Sequence, residues 1–143
     1  MIPVHVVSFA NRRYRGSLAR IRREAERMGR FASIRAVDDR WLGADYWRAH
    51  ADTVRRHRRG FGLYTWKPYV VRRALESLPA GEAILYVDAG CTLNAEGRGR
   101  LEEYVALAAE HPSQALAFSL AGRVGEWTKR AALAAVDADD EEM

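Results

Sequence analysis

The stretch Ala83-Ile-Leu-Tyr-Val-Asp-Ala-Gly-Cys91 decides the fold of this chain. Its residues 84–87 are β-formers without polar alternation, a pattern that predicts a strand buried on both faces, as in a parallel sheet. Asp88 follows that strand, where open α/β sheets bind ligands, and a carboxylate there suits Mg²⁺ or Mn²⁺. Gly90 allows a sharp turn or the close approach of a ligand. The alternative is an aspartate that only caps the next turn.

Length and composition indicate one globular domain. A chain of 143 residues fits a single core, and 48% hydrophobic with 29% charged residues is typical of a soluble protein. Cys91 is the single cysteine, which excludes an internal disulfide and indicates a reducing compartment. The first residues lack the pattern of a secretory signal, and no apolar stretch is long enough to span a membrane. We therefore expect a cytoplasmic protein without a transmembrane segment.

The chain is basic, with a net charge of +4, and Lys67 and Lys129 are the only lysines among its 23 basic residues. Such a surface favours phosphate-bearing ligands, anionic membrane surfaces or nucleic acid. The alternative is that the arginines are solvated helix faces, with codon bias behind their number. Aromatic residues are not interleaved with the densest cluster, Arg55–Arg59, as they are in RNA-stacking surfaces, which argues against nucleic acid.

Strands and helices alternate along the chain. Besides residues 84–87, the apolar runs 3–9, 31–37 and 115–120 predict strands. Helices are expected at 17–29, 49–59, 68–78, 96–110 and 127–136. The first has Ser17 as N-cap, Gly29 as C-cap and an apolar stripe at Leu18, Ile21, Ala25 and Met28. The alternation predicts an α/β fold with a mostly parallel sheet flanked by helices. One domain over residues 1–136 would be followed by the acidic tail 137–143, which holds five carboxylates.

The second unusual segment is Gly60-Phe-Gly-Leu-Tyr-Thr-Trp-Lys-Pro-Tyr69, in which four aromatic residues surround Lys67. A lysine among apolar side chains is costly without an anionic partner. Pro68 is suited to the first turn of a helix, and helix N-termini favour phosphate. Lys67 is therefore a candidate contact for a diphosphate. The alternative is an aromatic corner of the core from which Lys67 extends into solvent.

The remaining reactive side chains give weaker signals. The four histidines show no metal-ligand spacing, and His5 within the first strand is expected to be a core residue. Cys91 has no histidine tied to it by sequence, so we interpret it as a structural cysteine. The sequence has no Walker loop, Gly-x-Gly-x-x-Gly or Cys-x-x-Cys motif.

Four sequence blocks together resemble one enzyme family. They are Ser8-Phe-Ala-Asn11, Gly60–Tyr69, Tyr86-Val-Asp-Ala-Gly-Cys91 and Thr128-Lys-Arg-Ala131. In order and spacing the chain is similar, over nearly all its length, to bacterial nucleotide-sugar glycosyltransferases with the GT-A fold, a family that includes enzymes of capsule and surface-polysaccharide synthesis. The two central blocks are the most specific part of this resemblance.

The resemblance implies a Rossmann-like GT-A fold and a hexosyltransferase type of activity. A sugar would pass from a nucleoside-diphosphate sugar to a polysaccharide or glycan acceptor, with Mn²⁺ or Mg²⁺ as cofactor. Asp88 would be the principal metal ligand, Lys67 would lie near the donor phosphates, and Lys129 would face the donor or acceptor sugar. The remaining donor-binding residues implied by the resemblance are Ser8, Phe9, Ala10, Asn11, Ala89 and Gly90.

The chain departs from the family pattern at three points. Gly90 stands where the family has a second acid, Ala131 replaces another acid, and the chain stops at Met143, before the C-terminal half that holds the acceptor. We therefore expect a donor-binding half that needs a C-terminal half or a homo-oligomer, at the inner face of a membrane or free in the cytoplasm. No catalytic base is identified. A non-catalytic nucleotide-binding or partner-binding module is the alternative.

Overall fold

The computed structural model describes residues 1–116, 118, 121, 122, 126 and 128–135. Within these residues three parallel strands form one sheet in the order β2–β1–β3. The strands are β1 (Val4–Phe9), β2 (Ser33–Val37) and β3 (Ala83–Tyr86). All residues of β1 are buried, because β1 is the central strand. The predicted α/β class with a parallel sheet is confirmed.

Helices connect and flank these strands. Their bounds are α1 (Arg15–Met28), α2 (Ala44–Arg56), α3 (Gly60–Leu63), α4 (Trp66–Glu76), α5 (Arg98–Glu110) and α6 (Arg130–Ala134). The expected N-cap at Ser17 is wrong. The side chain of Asn11 instead caps a 3₁₀ turn that runs directly into α1, so the helix begins at Arg15. Gly29 ends α1 in the left-handed conformation, with φ of 60°.

The two faces of the sheet pack against different helices, because side chains alternate along a strand. Val7 and Phe9 point toward α2 and α4. They form a core cluster with Leu42, Tyr46, Trp66, Val70 and Ala74. Ala10 points to the opposite face and packs with Leu18 of α1, Ala36 and Ala89. The apolar stripe predicted for α1 is buried at Leu18, Ile21, Ala25 and Met28.

The short element α3 and the residue after it, Tyr64, form a left-handed turn that the sequence does not predict. Residues 60–64 all have positive φ, and three of them are not glycine: Phe61 (51°), Leu63 (55°) and Tyr64 (64°). Each such residue costs about 1–2 kcal/mol relative to a right-handed conformation. Hydrogen bonds hold the turn, since the indole Nε1 of Trp66 donates to the carbonyl of Gly60 over 2.9 Å.

Three expectations differ from the structure. β3 is half-buried, not buried on both faces, because among the described residues β1 is its sole strand partner. Residues 115, 116 and 118 of the predicted fourth strand are exposed and not in a strand, while 117, 119 and 120 lie outside the described residues. Of the predicted helix 127–136, Trp127 and Val136 also lie outside them, as does the tail 137–143. No helix of the described part has the length and apolar character needed to cross a membrane.

Candidate functional site

The candidate site lies at the carboxyl edge of the sheet. Because the strands are parallel, the end of β1 with the residues that follow it (Ser8–Asn11), the segment after β2 (Asp38–Asp39) and the segment after β3 (Asp88–Gly90) meet at this edge. α4 also begins here, since Trp66 packs on Phe9. β2 pairs with one edge of β1, and β3, later in the chain, pairs with the other edge. This change of direction leaves a crevice beyond the carboxyl ends of β1 and β3. Open α/β sheets bind ligands in such crevices.

Lys67 and Asp88 form an ion pair at this edge. Lys67 Nζ lies 3.0 Å from both carboxylate oxygens of Asp88, and Tyr86 Oη donates to Asp88 Oδ1 over 2.8 Å. The ammonium also lies over the ring of Tyr86, at 5.4 Å from its centroid, and over Trp66, at 5.9 Å, where the ring quadrupoles attract it. The structure thus brings together the two residues singled out from separate sequence blocks.

The surroundings of Asp88 keep its carboxyl ionised. Burial raises the pKa of this carboxyl, but hydrogen bonds from Tyr86 and Lys67 and the charge of Lys67 outweigh that effect, so the pKa lies below its ordinary value. Burial and the bond to Asp88 raise the pKa of the Tyr86 phenol, which therefore stays protonated. The following turn is closed by the Cys91 amide on the Asp88 backbone carbonyl. The oxygens of the Asp88 side chain contact Lys67 and Tyr86, so this side chain is not merely a cap of the following turn.

We expect Lys67→Gln to raise the pKa of Asp88, because the neutral amide removes the positive charge beside the carboxylate. A carboxyl with a lowered folded-state pKa stabilises the fold above its ordinary pKa of about 3.9, and that contribution is lost as the pH falls through the folded-state value. The stability difference between wild type and variant should therefore be present at neutral pH and vanish in acid. NMR titration of the Asp88 carboxyl carbon measures the shift.

Arg55→Gln is the matched control for this titration, because it breaks the ion pair of Arg55 with Asp52 on α2. It should leave the pKa of Asp88 unchanged. An Asp88 titration that is the same in Lys67→Gln and in the wild type would contradict the assigned ion pair.

The loop that carries Asp88 is fastened to α1 by Arg20 and Glu24. Arg20 Nη2 donates to the carbonyl of Ala89 over 2.8 Å, and the buried Glu24 accepts from the Leu93 amide at 2.9 Å and from Arg20 at 2.8 Å. The Leu93 amide, followed by Arg20, lowers the pKa of Glu24. Sequence reasoning missed this clamp. An acid three residues after Ile21, within the buried stripe of α1, was the available signal.

The donor-binding turn expected at Ser8–Asn11 is partly strand and partly core, since Ser8 and Phe9 are the last residues of β1. Phe9 is 3% exposed and its ring is stacked on Trp66, with centroids 4.3 Å apart. Ala10 is buried against Leu18 and Ala89. The side chains of Phe9 and Ala10 therefore pack the protein interior, and their backbone alone is left to border a ligand.

Ser8 and Asn11 are the polar residues of the segment Ser8–Asn11. Ser8 is 2% exposed and its Oγ has no hydrogen-bond partner among the described residues. A buried hydroxyl without a partner is uncommon, because leaving it unsatisfied costs free energy. Asn11 is half-buried, and its side-chain oxygen accepts from the Arg13 amide. Of the four predicted residues in this segment, Ser8 is thus the one whose side chain has a buried polar atom without a partner among the described residues.

The end of β2 adds two acids that the sequence analysis did not place in the site. Hydrogen bonds from Arg40 outweigh burial and lower the pKa of Asp38. Asp39 Oδ1 is buried and has no hydrogen-bond partner among the described residues, where its one ion-pair partner is Arg12 Nε at 3.9 Å. These residues adjoin a cleft of about 330 Å³. It is lined by Leu18, Ala36, Val37, Asp38, Arg40 and Trp41.

Two predicted site residues do not join the Lys67–Asp88 pair. Gly90 is exposed and lies in the turn that the Cys91 amide closes on the Asp88 carbonyl, so the sharp turn expected there is present, but its φ is not left-handed and a Cβ would meet open space, so the turn does not depend on glycine. Lys129 is exposed at the N-cap of α6. Within the described part of the chain, no hydrogen bond or ion pair joins Lys129 to Asp88 or Lys67.

The described residues could hold a metal ion only together with a bound ligand that supplies further oxygen atoms. No group of three His, Cys, Asp or Glu side chains that could hold a metal ion occurs among the described residues. Mg²⁺ is usually bound by one or two carboxylates together with substrate phosphates and waters. Asp88 alone therefore suits an ion that arrives with a diphosphate, and Lys67 would have to give up part of its contact.

Comparisons of the chain with protein-family models, with curated proteins and with solved structures find no match. The parallel α/β sheet is thus established by the structure, whereas the GT-A assignment and the glycosyltransferase activity remain predictions from the sequence blocks.

Proposed function

We propose that this chain binds a nucleoside-diphosphate sugar in the crevice outside β1 and β3, as the donor-binding part of a glycosyltransferase. The supporting observation is the Lys67–Asp88 pair. Two residues 21 positions apart, from two loops, present an ammonium and a carboxylate at the carboxyl edge of an open parallel sheet. Both are about half exposed, at 39% and 52%, so both are accessible to a ligand.

Each residue has a defined task in this proposal. Lys67 contacts the diphosphate and stabilises the charge that develops on it as the leaving group. Asp88 holds the divalent cation, which supplies Lewis-acid neutralisation of the leaving diphosphate when bound. The end of β1 at Ser8, whose buried hydroxyl has no partner among the described residues, and the cleft beside Asp38 border the nucleoside. Arg20 keeps the Asp88 loop in place through its bond to the Ala89 carbonyl.

The acceptor side of the reaction belongs to other parts of the assembly in this proposal. Lys129 and the chain around it would face the sugar, and a C-terminal half or a second copy would hold the glycan acceptor. The base that an inverting transfer requires near the acceptor hydroxyl would come from the same part.

A non-catalytic nucleotide-binding module is the second candidate, and one observation favours it. Both oxygens of Asp88 already accept hydrogen bonds, Oδ1 from Tyr86 and Oδ2 from Lys67. With that carboxylate occupied, the crevice would bind a nucleotide through Lys67 and the backbone, without a metal and without sugar transfer.

A thermal-unfolding screen with UDP, GDP, CDP, ADP and dTDP, each with Mn²⁺ or with EDTA, tests the proposal. One nucleotide should raise the midpoint by several degrees, because a ligand at about 100 times its Kd stabilises the fold by about 2.7 kcal/mol. Asp88→Asn should remove the Mn²⁺-dependent part of this shift. If the shift is the same in EDTA as with Mn²⁺, and the same in Asp88→Asn as in the wild type, the result supports the non-catalytic binding module instead.

Asp52→Asn is the matched control for the screen, since Asp52 is an exposed acid on α2 that pairs only with Arg55 among the described residues. It should respond to the nucleotide as the wild type does. If no nucleotide shifts the midpoint of the wild type, the proposal of a donor site at this edge is wrong.

A further inference from the structure

A surface of four arginines with an exposed leucine and an exposed tyrosine lies next to the candidate site. We call it the basic tip, and it consists of Arg55, Arg56, Arg58, Arg59, Leu63 and Tyr64. All six residues are exposed. They join the end of α2 to the left-handed turn before α4, so the charged and the apolar residues occupy one stretch of ten positions.

The positive charge of the basic tip is mostly uncompensated within the described chain. Arg55 forms an ion pair with Asp52. Arg56, Arg58 and Arg59 have no salt bridge to any carboxylate among the described residues. Exposed arginines of this kind are available to phosphate groups, which their guanidinium forks bind with two parallel hydrogen bonds.

The apolar part of the basic tip is held outward by a strained backbone. Leu63 is 51% exposed and Tyr64 is 53% exposed, and both have positive φ. The turn cannot relax into a right-handed helix, because Gly62 is packed against Val54 of α2 and the Trp66 indole is bonded to the turn. The fold therefore maintains an unfavourable backbone conformation in a turn that leaves a leucine and a tyrosine exposed, close in sequence to the arginines.

We propose that the basic tip docks this protein on the surface of an anionic lipid bilayer. The arginines bind the phosphates of the headgroups, and Leu63 and Tyr64 enter the boundary between headgroups and acyl chains. Tyrosine is suited to that depth, since its ring is apolar and its hydroxyl reaches water. The aliphatic side chain of Leu63 favours lipid over nucleic acid because, unlike the ring of Tyr64, it cannot stack on a base.

Docking through the basic tip also sets the orientation of the molecule. The ring of Phe61 in the same turn lies 6.2 Å from Phe9, and the ring of Tyr64 lies 6.3 Å from Trp66. The carboxyl edge of the sheet is thus next to the bilayer in the docked protein. The lipid contact itself rests on charge and exposure alone and is independent of what binds at that edge.

Co-sedimentation of the full chain with lipid vesicles tests the proposal. Vesicles of phosphatidylcholine with phosphatidylglycerol should bind the protein, vesicles of phosphatidylcholine alone should not, and added salt should weaken the binding. Arg58→Gln with Arg59→Gln should lower the affinity roughly tenfold or more, since each basic residue near an anionic surface is worth about fivefold. Leu63→Asn with Tyr64→Asn should also lower it, and asparagine tolerates positive φ, so the turn is preserved.

The double variant Arg22→Gln, Arg23→Gln is the matched control, because it removes the same number of positive charges as the tip variant. Both residues are exposed on α1, which packs on the other face of the sheet. It should keep most of the binding, and thermal unfolding should confirm that every variant is folded. Equal losses in the α1 control and the tip variant would overturn the proposal, as would the absence of binding to anionic vesicles. So would binding that survives the Leu63 and Tyr64 changes and is displaced by a short oligonucleotide, which would assign the surface to nucleic acid.

Discussion

Gly62→Ala is expected to lower the free energy of unfolding by about 2–5 kcal/mol, from a left-handed backbone cost of about 1–2 kcal/mol and overpacking of about 1–3 kcal/mol. Gly62 has φ of 84°, and a Cβ there would lie 2.7 Å from Val54 Cγ2 and 3.2 Å from Val54 Cα. The second contact is with backbone, so a side-chain rotation does not relieve it. The turn and α2 would have to separate.

Chemical denaturation measures this loss, and the thermal midpoint should fall by roughly 10 °C for a chain of this size. Gly81→Ala is the matched control, because Gly81 has nearly the same φ, 85°, but no atom within 4 Å of its Cβ position. It should cost only about 1 kcal/mol. Equal losses at the two glycines would show that the contact between the turn and α2 is not as tight as the structure has it.

Phe9→Ala is expected to cost about 3–5 kcal/mol, the usual range for removing a buried phenylalanine side chain. Its ring is 3% exposed and is stacked on Trp66 between the sheet and α4. The same residue was expected from the sequence to border a nucleotide, so stability and binding have to be measured separately. Urea unfolding gives the first quantity, and titration of the nucleotide found in the thermal screen gives the second.

Phe9→Leu separates the two roles of this residue. It keeps most of the apolar volume and should cost about 1 kcal/mol, mainly the lost aromatic stacking. Because the ring faces Trp66 and not solvent, the nucleotide affinity of Phe9→Leu should equal that of the wild type. A folded Phe9→Leu protein that no longer binds nucleotide would contradict the core role assigned to the ring.

Local patterns predicted the parts of the fold that depend on neighbouring residues. The stripe of α1 from Leu18 to Met28 and its end at Gly29 follow from helical spacing and from the backbone freedom of glycine. The N-cap of α1 is Tyr14, three residues before the predicted Ser17, because Asn11 caps a 3₁₀ turn, a competing local structure that spacing does not reveal. The burial of β3 was overestimated, because burial depends on which elements cover a strand.

Long-range contacts decided the candidate site. The sequence offered Lys67 and Asp88 as separate candidates, but neither residue type nor spacing specifies that Lys67 Nζ is bonded to the Asp88 carboxylate. The clamp of Arg20 and Glu24 joins residues about 70 positions apart, and no local signal specifies its partner. No local signal predicts the left-handed turn either, since Phe61 and Tyr64 have no intrinsic preference for positive φ.

The sequence by itself determined the α/β class, the central apolar strands and the position of an acid directly after β3, because periodicity and strand-end chemistry are local properties. Only the tertiary structure decided that Phe9 and Ala10 are core, that Asp88 already has Lys67 and Tyr86 as partners, and that Leu63 and Tyr64 are exposed. Packing sets these features, since the free energy of burying one side chain depends on neighbours that are distant in the chain.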